Sequence, residues 1–375
     1  MGNADLRGVG GYKPQLDGLR ALAVGLVMIE HYFARAPVWF PFGAVGVYFF
    51  FVLSGYLITG ILLRARDDGE RSGESQWFTL RQFYARRFLR IFPIYYVVLA
   101  LAAWSGVGAA RRMLWWNAAY LCNVYVAMHG WQFAVSHFWT LAVEEQFYIF
   151  WPLLVVFLPK RLLLPAFWAA VAIPLVYKTA VFAVSGNLLA SAVLTPGCLD
   201  TLGAGALLAL YARSGRSKVP AALAWFGIAL VTCGAVAYAL DANNVAWSVM
   251  LGYGMASAGA WLVARAAAGF RGVVGRVLSF GPLVYLGTIS YGVYIIHNFA
   301  PVIMGRFHLG GIRSLVSWLL FTLVAASVSY WTFERPINSL KRFFPYSASG
   351  GRGRAVRGPV VTLPVAPIAE QEAIS

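Results

Sequence analysis

Ten apolar stretches of roughly 18 to 25 residues recur along this chain, each of the length a helix needs to cross about 30 Å of hydrocarbon. That recurrence constrains the fold more than any motif does. In a lipid solvent every backbone N–H and C=O must be satisfied internally, which leaves helical bundles and closed barrels. Blocks of this length exclude the short alternating strands of a barrel. The expected fold class is therefore an all-α integral membrane bundle, with spans near 16–34, 43–63, 91–109, 138–158, 162–182, 194–212, 220–239, 245–264, 282–304 and 314–333. The composition agrees: 60% of the 375 residues are hydrophobic, 12% are charged, and the mean hydropathy is +0.68.

A formal net charge of +16 would suggest nucleic acid in a soluble protein. Here the Lys and Arg lie between apolar blocks, as topology determinants do, and no nucleic-acid partner is expected. With a cytoplasmic N-terminus, the inner segments collect twenty-four basic residues, among them Arg7, Lys13, Arg20 and the seven arginines from Arg64 to Arg90. The outer loops hold only Arg35, Arg111, Arg112, Arg306 and Arg313. This bias places both termini in the cytoplasm. Cys122, Cys198 and Cys233 have neither Cys-x-x-Cys spacing nor a His at ligand distance, so neither a metal site nor a disulfide frame is expected. The first block follows a short basic segment but lacks a small-residue cleavage site, and reads as a retained first helix.

Two connections are long. The inner one ends in QWFTLRQFYARRFLRIFP, an amphipathic pattern expected to lie along the membrane surface. The outer one, from about Ala110 to His137, is rich in Trp and Tyr and reads as re-entrant or interfacial. Residues 1–344 are expected to form one membrane domain, and the Gly-, Pro- and small-residue-rich stretch 345–375 a disordered cytoplasmic tail.

An ionisable group deep in a span is costly enough to count as a candidate functional residue. In LDGLRALAVGLVMIEHYF, Arg20 and His31 are eleven apart, which at about 100° per residue returns them to within roughly 20° of one face. One helix face thus carries a cation towards the inner end and an imidazole towards the outer end, with Glu30 beside it. Histidine can take a proton from an alcohol near neutral pH and return it to a leaving group, as O-acyl transfer requires. The simpler alternative is an arginine that snorkels and an interfacial histidine bonded to a carbonyl.

In HFWTLAVEEQFYIFWP, Glu144 and Glu145 sit a turn or two inside the outer boundary and need a partner, either catalytic or purely structural. Arg81, Arg86, Arg87 and Arg90 can share a helical face that suits phosphates, whether of a substrate or of lipid headgroups. Ser54 and Gly55 in the second block suit close helix packing, and a serine nucleophile there lacks a Gly-x-Ser-x-Gly elbow. Asp200, and the set Ser290, Tyr291, Tyr294 and His297, are further polar groups; the last set could bind a polar acceptor or belong to an interfacial belt.

LDGLRALA through His31, GVYFFFVLSGYLIT, FYARRFLRIFPIYY, FWTLAVEEQFYIFWP and YLGTISYGVYIIH occur in this order between Leu16 and Pro336. With them the chain resembles acyltransferase family 3, the membrane-bound O-acyltransferases. The resemblance implies a ten-helix bundle in the bacterial cytoplasmic (inner) membrane. It would take acetyl or another short acyl group from acyl-CoA, a co-substrate rather than a bound cofactor. Acceptor hydroxyls in the family belong to surface glycans, glycolipids or secondary metabolites. Some members carry an appended extracytoplasmic hydrolase-like domain, and the resemblance here is to stand-alone members.

The family's essential first-helix pair falls on Arg20 and His31, and its Arg-x-x-Arg element on Arg87 and Arg90. On that basis Arg87 and Arg90, with Arg86, would hold the CoA phosphates and His31 would act as general base. Glu144 or Glu145 would orient His31, and Arg20 would hold the donor or stabilise an oxyanion. The rival reading is a transporter or flippase of a polar or glycan substrate, which would predict inverted repeats or broken helix pairs; the sequence displays neither.

Overall fold

A computed structural model describes residues 12–33, 40–132, 134–215, 219–308 and 310–346. Most of the tail expected at 345–375 lies outside them, as do Arg7, Arg35, Arg216, Lys218 and the basic residues beyond Tyr346 in the charge count. The described residues are helical, with no strand among them. The long helices are α1 (Pro14–Tyr32), α2 (Phe42–Ser72), α3 (Gln76–Trp104), α4 (Trp139–Phe157), α5 (Lys160–Ser185), α6 (Leu199–Arg213), α7 (Ala221–Leu240) and α8 (Val245–Ala268). After them come α9 (Gly281–Thr288), α10 (Ser290–Ile296) and α11 (Ile312–Ser329).

Six of these, α2, α3, α4, α5, α7 and α11 with its extension, are long and apolar enough to cross a membrane, and a seventh span results if α9 and the helical stretch Ser290–Phe307 are counted together. The remaining predicted spans fall short for local reasons. Within its 19 residues α1 carries Asp17, Arg20 and Glu30, α6 has only 15 residues, and glycines and serines dilute the apolar character of α8. Three of the apolar helices, α5, α7 and α11, face outward, whereas the window of α2 is 72% buried. The α7 window has a mean hydropathy of 1.9 yet only 17% of it is buried, and Trp225, Phe226, Val236 and Leu240 are exposed on its surface. Such a surface is stable in hydrocarbon and unstable in water, so the chain reads as a multi-pass membrane protein.

Three expected boundaries change. The amphipathic segment 76–93 does not form a separate surface helix; it is the first half of α3, which continues through Pro93 to Trp104. Its start is fixed by Ser75, whose hydroxyl accepts from the Phe78 N–H at 3.1 Å. The span expected at 282–304 breaks at Ile289 and bends by 60°; residues on both sides of the break meet α1, Gly287 at the Asp17 backbone and His297 at His31. The segment from about Ala110 to His137, expected to be re-entrant or interfacial, is largely helical. It forms two short helices, Leu114–Ala118 and Cys122–His129, tied inward by Tyr95 donating to the Asn117 carbonyl at 2.8 Å and Gln146 to the Tyr120 carbonyl at 2.8 Å.

The core seam is α2 against α6, where backbone meets backbone. A Cβ at Gly55 would overlap the Leu202 carbonyl, and one at Gly205 would overlap the Val52 carbonyl. Small residues permit this approach, and between helices in lipid it supplies much of the association energy. Gly205→Leu is therefore expected to destabilise by about 3 kcal/mol, the upper range for overpacking. Thermal unfolding in detergent would show it as a lowered midpoint, and an unchanged midpoint would show that the seam can open without cost.

Candidate functional site

Four helices and the bent segment converge on a partly open cavity of ≈ 80 Å³. Arg20 comes from α1, Ser54 from α2, Arg87 and Arg90 from α3, Thr140, Glu144 and Tyr148 from α4, and Ser290, Tyr291 and Tyr294 from α10. Helical spacing explains the grouping: 87 and 90 are three apart, and 140, 144 and 148 are four apart, so each set shares a face. The volume holds a few waters or a short acyl group.

Its electrostatics are lopsided. Three guanidinium groups surround one carboxylate, Glu144, which accepts from the Ser54 hydroxyl. Tyr148 donates to Ser54 in turn at 3.1 Å. The Arg20 guanidinium is held 3.4 Å from Asp17, and Asp17 accepts from Tyr12 at 2.9 Å. Arg87 lies over the rings of Phe83 and Tyr148, 5.5 Å from each centroid. The buried atoms Arg20 Nε and Arg90 Nη1 have no hydrogen-bond partner within the protein. Buried cationic donors left in this way favour an anionic or strongly polar guest. Among the described residues, no group of three His, Cys, Asp or Glu side chains is arranged to hold a metal ion.

Further along α1, His31 stands about 16 Å from Arg20 by helical rise, in a cluster of three imidazoles. His31 Nδ1 lies 2.9 Å from His297 Nε2, and His297 Nδ1 lies 2.6 Å from the Tyr294 carbonyl. His137 Nε2 lies 3.2 Å from the Ile295 carbonyl, with its ring centroid 5.1 Å from that of His297. Tyr294 and Thr140 separate the cavity from this cluster, joined hydroxyl to hydroxyl at 2.6 Å.

The structure brings Arg20, Arg87, Arg90 and Glu144 together and leaves other expected residues apart. Arg86 points away, donating to the carbonyls of Lys341 and Phe344 at 2.9 and 3.2 Å, so it does not join Arg87 and Arg90 at the cavity. Glu145, buried on another face of α4, does not line the cavity either. Neither glutamate orients His31: Glu144 engages Ser54, and the imidazole of His297 occupies the position beside His31. Glu30 accepts from the Gly43 N–H at 2.8 Å and caps α2. His297 is fully buried.

Asp200 lies elsewhere, paired with Lys178 at 2.7 Å, and both side chains are fully inaccessible. His137, Thr140 and Tyr148 were not singled out in the sequence, although all three lie within a few residues of Glu144. Glu334 was also missed. A π-helical turn, Tyr330–Glu334, turns it inward to accept from Ser329 at 3.1 Å.

A model of the acyltransferase domain family matches residues 13–334 of this chain. The O-acetyltransferase OatA of Staphylococcus aureus is 25% identical over 354 residues, covering 87% of this chain and 57% of its own length. The peptidoglycan O-acetyltransferase OatA of Listeria monocytogenes is 37% identical over 174 residues, 40% of this chain and 26% of its own. The chain thus spans about 57% of the length of the Staphylococcus relative. No solved structure matches it.

Proposed function

This chain belongs to the acyltransferase family, and from that premise we propose that it moves an acetyl or other short acyl group from cytoplasmic acyl-CoA to a hydroxyl of a glycan, glycolipid or small molecule on the outer side of a bacterial cytoplasmic membrane. The reading rests foremost on the small cavity where Arg20, Arg87 and Arg90 surround Glu144, with buried guanidinium nitrogens unpartnered. Such a site suits phosphate, a thioester carbonyl acquiring charge, or a departing thiolate. The name of the Listeria relative, a peptidoglycan O-acetyltransferase, favours a cell-wall glycan as acceptor.

In this reading there are ten spans: the six long helices together with α1, α6, α8 and the bent α9–α10 segment. The N-terminus is cytoplasmic, so Arg20 faces the donor side and His31 the acceptor side. Arg87 and Arg90 hold the donor phosphates while the thioester extends along α1. His31 takes the acceptor hydroxyl proton as the oxygen attacks the thioester carbonyl. An ester C–O bond forms, the C–S bond breaks, and the proton goes to the CoA thiolate. Arg20 stabilises the carbonyl oxygen or the donor.

The test is transfer of label from acetyl-CoA to cell-wall glycan fragments by the protein in nanodiscs. Each of Arg87→Ala and Arg90→Ala is expected to weaken acetyl-CoA binding about 10- to 100-fold, as loss of a charge-assisted hydrogen bond does, with the thermal midpoint little changed. Unaltered binding in both would remove the donor role from these arginines. A second reading, transport of a polar or glycan substrate, is favoured by the break at Ile289, since broken spans are common in transporters. Passage of substrate without covalent labelling would establish it instead.

A further inference from the structure

We propose that His297 is a positioning residue that fixes the tautomer of His31 and so makes His31 Nε2 the basic nitrogen. The inference rests on the reading of His31 as general base and adds what sets its orientation.

The argument follows from who can donate. A carbonyl oxygen only accepts, so at 2.6 Å from the Tyr294 carbonyl, His297 Nδ1 carries the proton. In a neutral imidazole Nε2 is then the acceptor, and it faces His31 Nδ1 at 2.9 Å. His31 Nδ1 must therefore carry a proton, which leaves its Nε2 lone pair free. The third imidazole obeys the same logic independently. Asn298 Nδ2 donates to His137 Nδ1 at 3.3 Å, so His137 Nε2 donates to the Ile295 carbonyl at 3.2 Å.

The backbone makes this possible. At His297–Phe299 the α-helix tightens to a 3₁₀ turn, and the carbonyls of Tyr294 and Ile295 just before it accept from imidazoles. Tyr32 anchors the turn by donating to the His297 carbonyl at 3.1 Å. When His31 Nε2 takes the acceptor proton, positive charge develops on a ring whose Nδ1–H already points at His297 Nε2, and that bond strengthens. His297 Nδ1–H stays with its carbonyl, so the proton remains on His31 until the thiolate takes it. Loss of His297 would free the other tautomer, in which Nε2 is protonated and cannot act as base.

The test compares His297→Leu, which removes the acceptor, with His297→Gln, whose Oε1 can accept in place of Nε2. For His297→Leu, kcat is expected to fall about 10²- to 10³-fold with KM for acetyl-CoA unchanged, by analogy with wrong-tautomer variants of hydrolase triads. The Gln variant should recover to within about tenfold of wild type. In ¹⁵N-histidine spectra of the wild-type protein, His31 should show a protonated Nδ1 and an unprotonated Nε2.

Full kcat in the Leu variant, a Gln variant as poor as Leu, or a protonated His31 Nε2 in the wild type would each overturn the proposal. If neither variant folds, the wild-type spectrum alone decides. An active His31→Ala variant would overturn the general-base reading itself, whereas an inactive His31→Ala beside a fully active His297→Leu would overturn only the tautomer assignment.

Discussion

His31→Ala is expected to lower kcat for acyl transfer by about 10²- to 10⁴-fold, the range that positioned proton transfer contributes, while leaving acetyl-CoA binding within a few-fold of wild type. Binding is spared because Arg20 lies about 16 Å away along α1, and His31 does not line the cavity that Arg20 shares with Arg87 and Arg90. The fold is spared too: His31 is only partly buried, and Tyr32, the next residue, keeps its hydrogen bonds to the His297 carbonyl and to Thr322. Single-turnover transfer and equilibrium binding, measured on the same preparation, separate the two quantities. Retention of full transfer would mean that the acceptor is activated by some other group, and the functional reading of the α1 stripe would collapse.

Lys178→Met is expected to have an effect of similar size on stability. Lys178 and Asp200 are both fully inaccessible. The ammonium also reaches the Ser248 carbonyl at 3.3 Å and lies 5.7 Å from the centroid of the Tyr48 ring. Asp200 accepts from the Thr201 N–H at 2.8 Å. Removing one partner leaves a buried charge uncompensated, at a cost of about 3–5 kcal/mol. Asp200→Asn should cost a comparable amount. The double variant Lys178→Met/Asp200→Leu removes both charges and should recover most of the loss, because well-packed apolar replacements of buried pairs are often neutral. Folded yield and thermal midpoint in detergent measure all three. A double variant as unstable as the singles would show that the pair contributes shape rather than charge balance.

The all-helical character, six or seven of the expected spans and the α1 stripe were legible in the sequence because they depend on period and length alone. Arg20 and His31 share a face through helical arithmetic, and the three-residue spacing of Arg87 and Arg90 likewise puts them together on α3. The neighbours of those faces were not legible. Glu144 or Glu145 was the expected partner for His31, yet His31 is met by His297, 266 residues away, and helical periodicity says nothing about which helix packs opposite.

Proline positions do not mark where the helices break. Pro93, Pro152, Pro165 and Pro174 lie inside helices that continue past them, whereas the 60° bend falls at Ile289, where no proline stands. In lipid a break is set by what the segment must line rather than by local propensity. The fusion of the basic segment with the third span has a similar cause. Arg81 to Arg90 dilute hydropathy, so the apolar signal begins later than the helix itself. The Lys178–Asp200 pair had a readable signal, two lone charges in different spans, but pairing them needed the fold.

The contact between Thr140 and Tyr294 has an electrical meaning. A bundle that keeps cations at one depth and imidazoles at another is a step from being a wire, because a file of water joining them would let protons run down the membrane potential. The two hydroxyls bond to each other at 2.6 Å, and Tyr294 also donates to the His137 carbonyl at 2.9 Å. The two hydroxyl protons that could have ordered such a file are thereby spent on the protein itself. In the proposed topology, polar chemistry could then occupy both halves of the bilayer without a continuous water path through this contact.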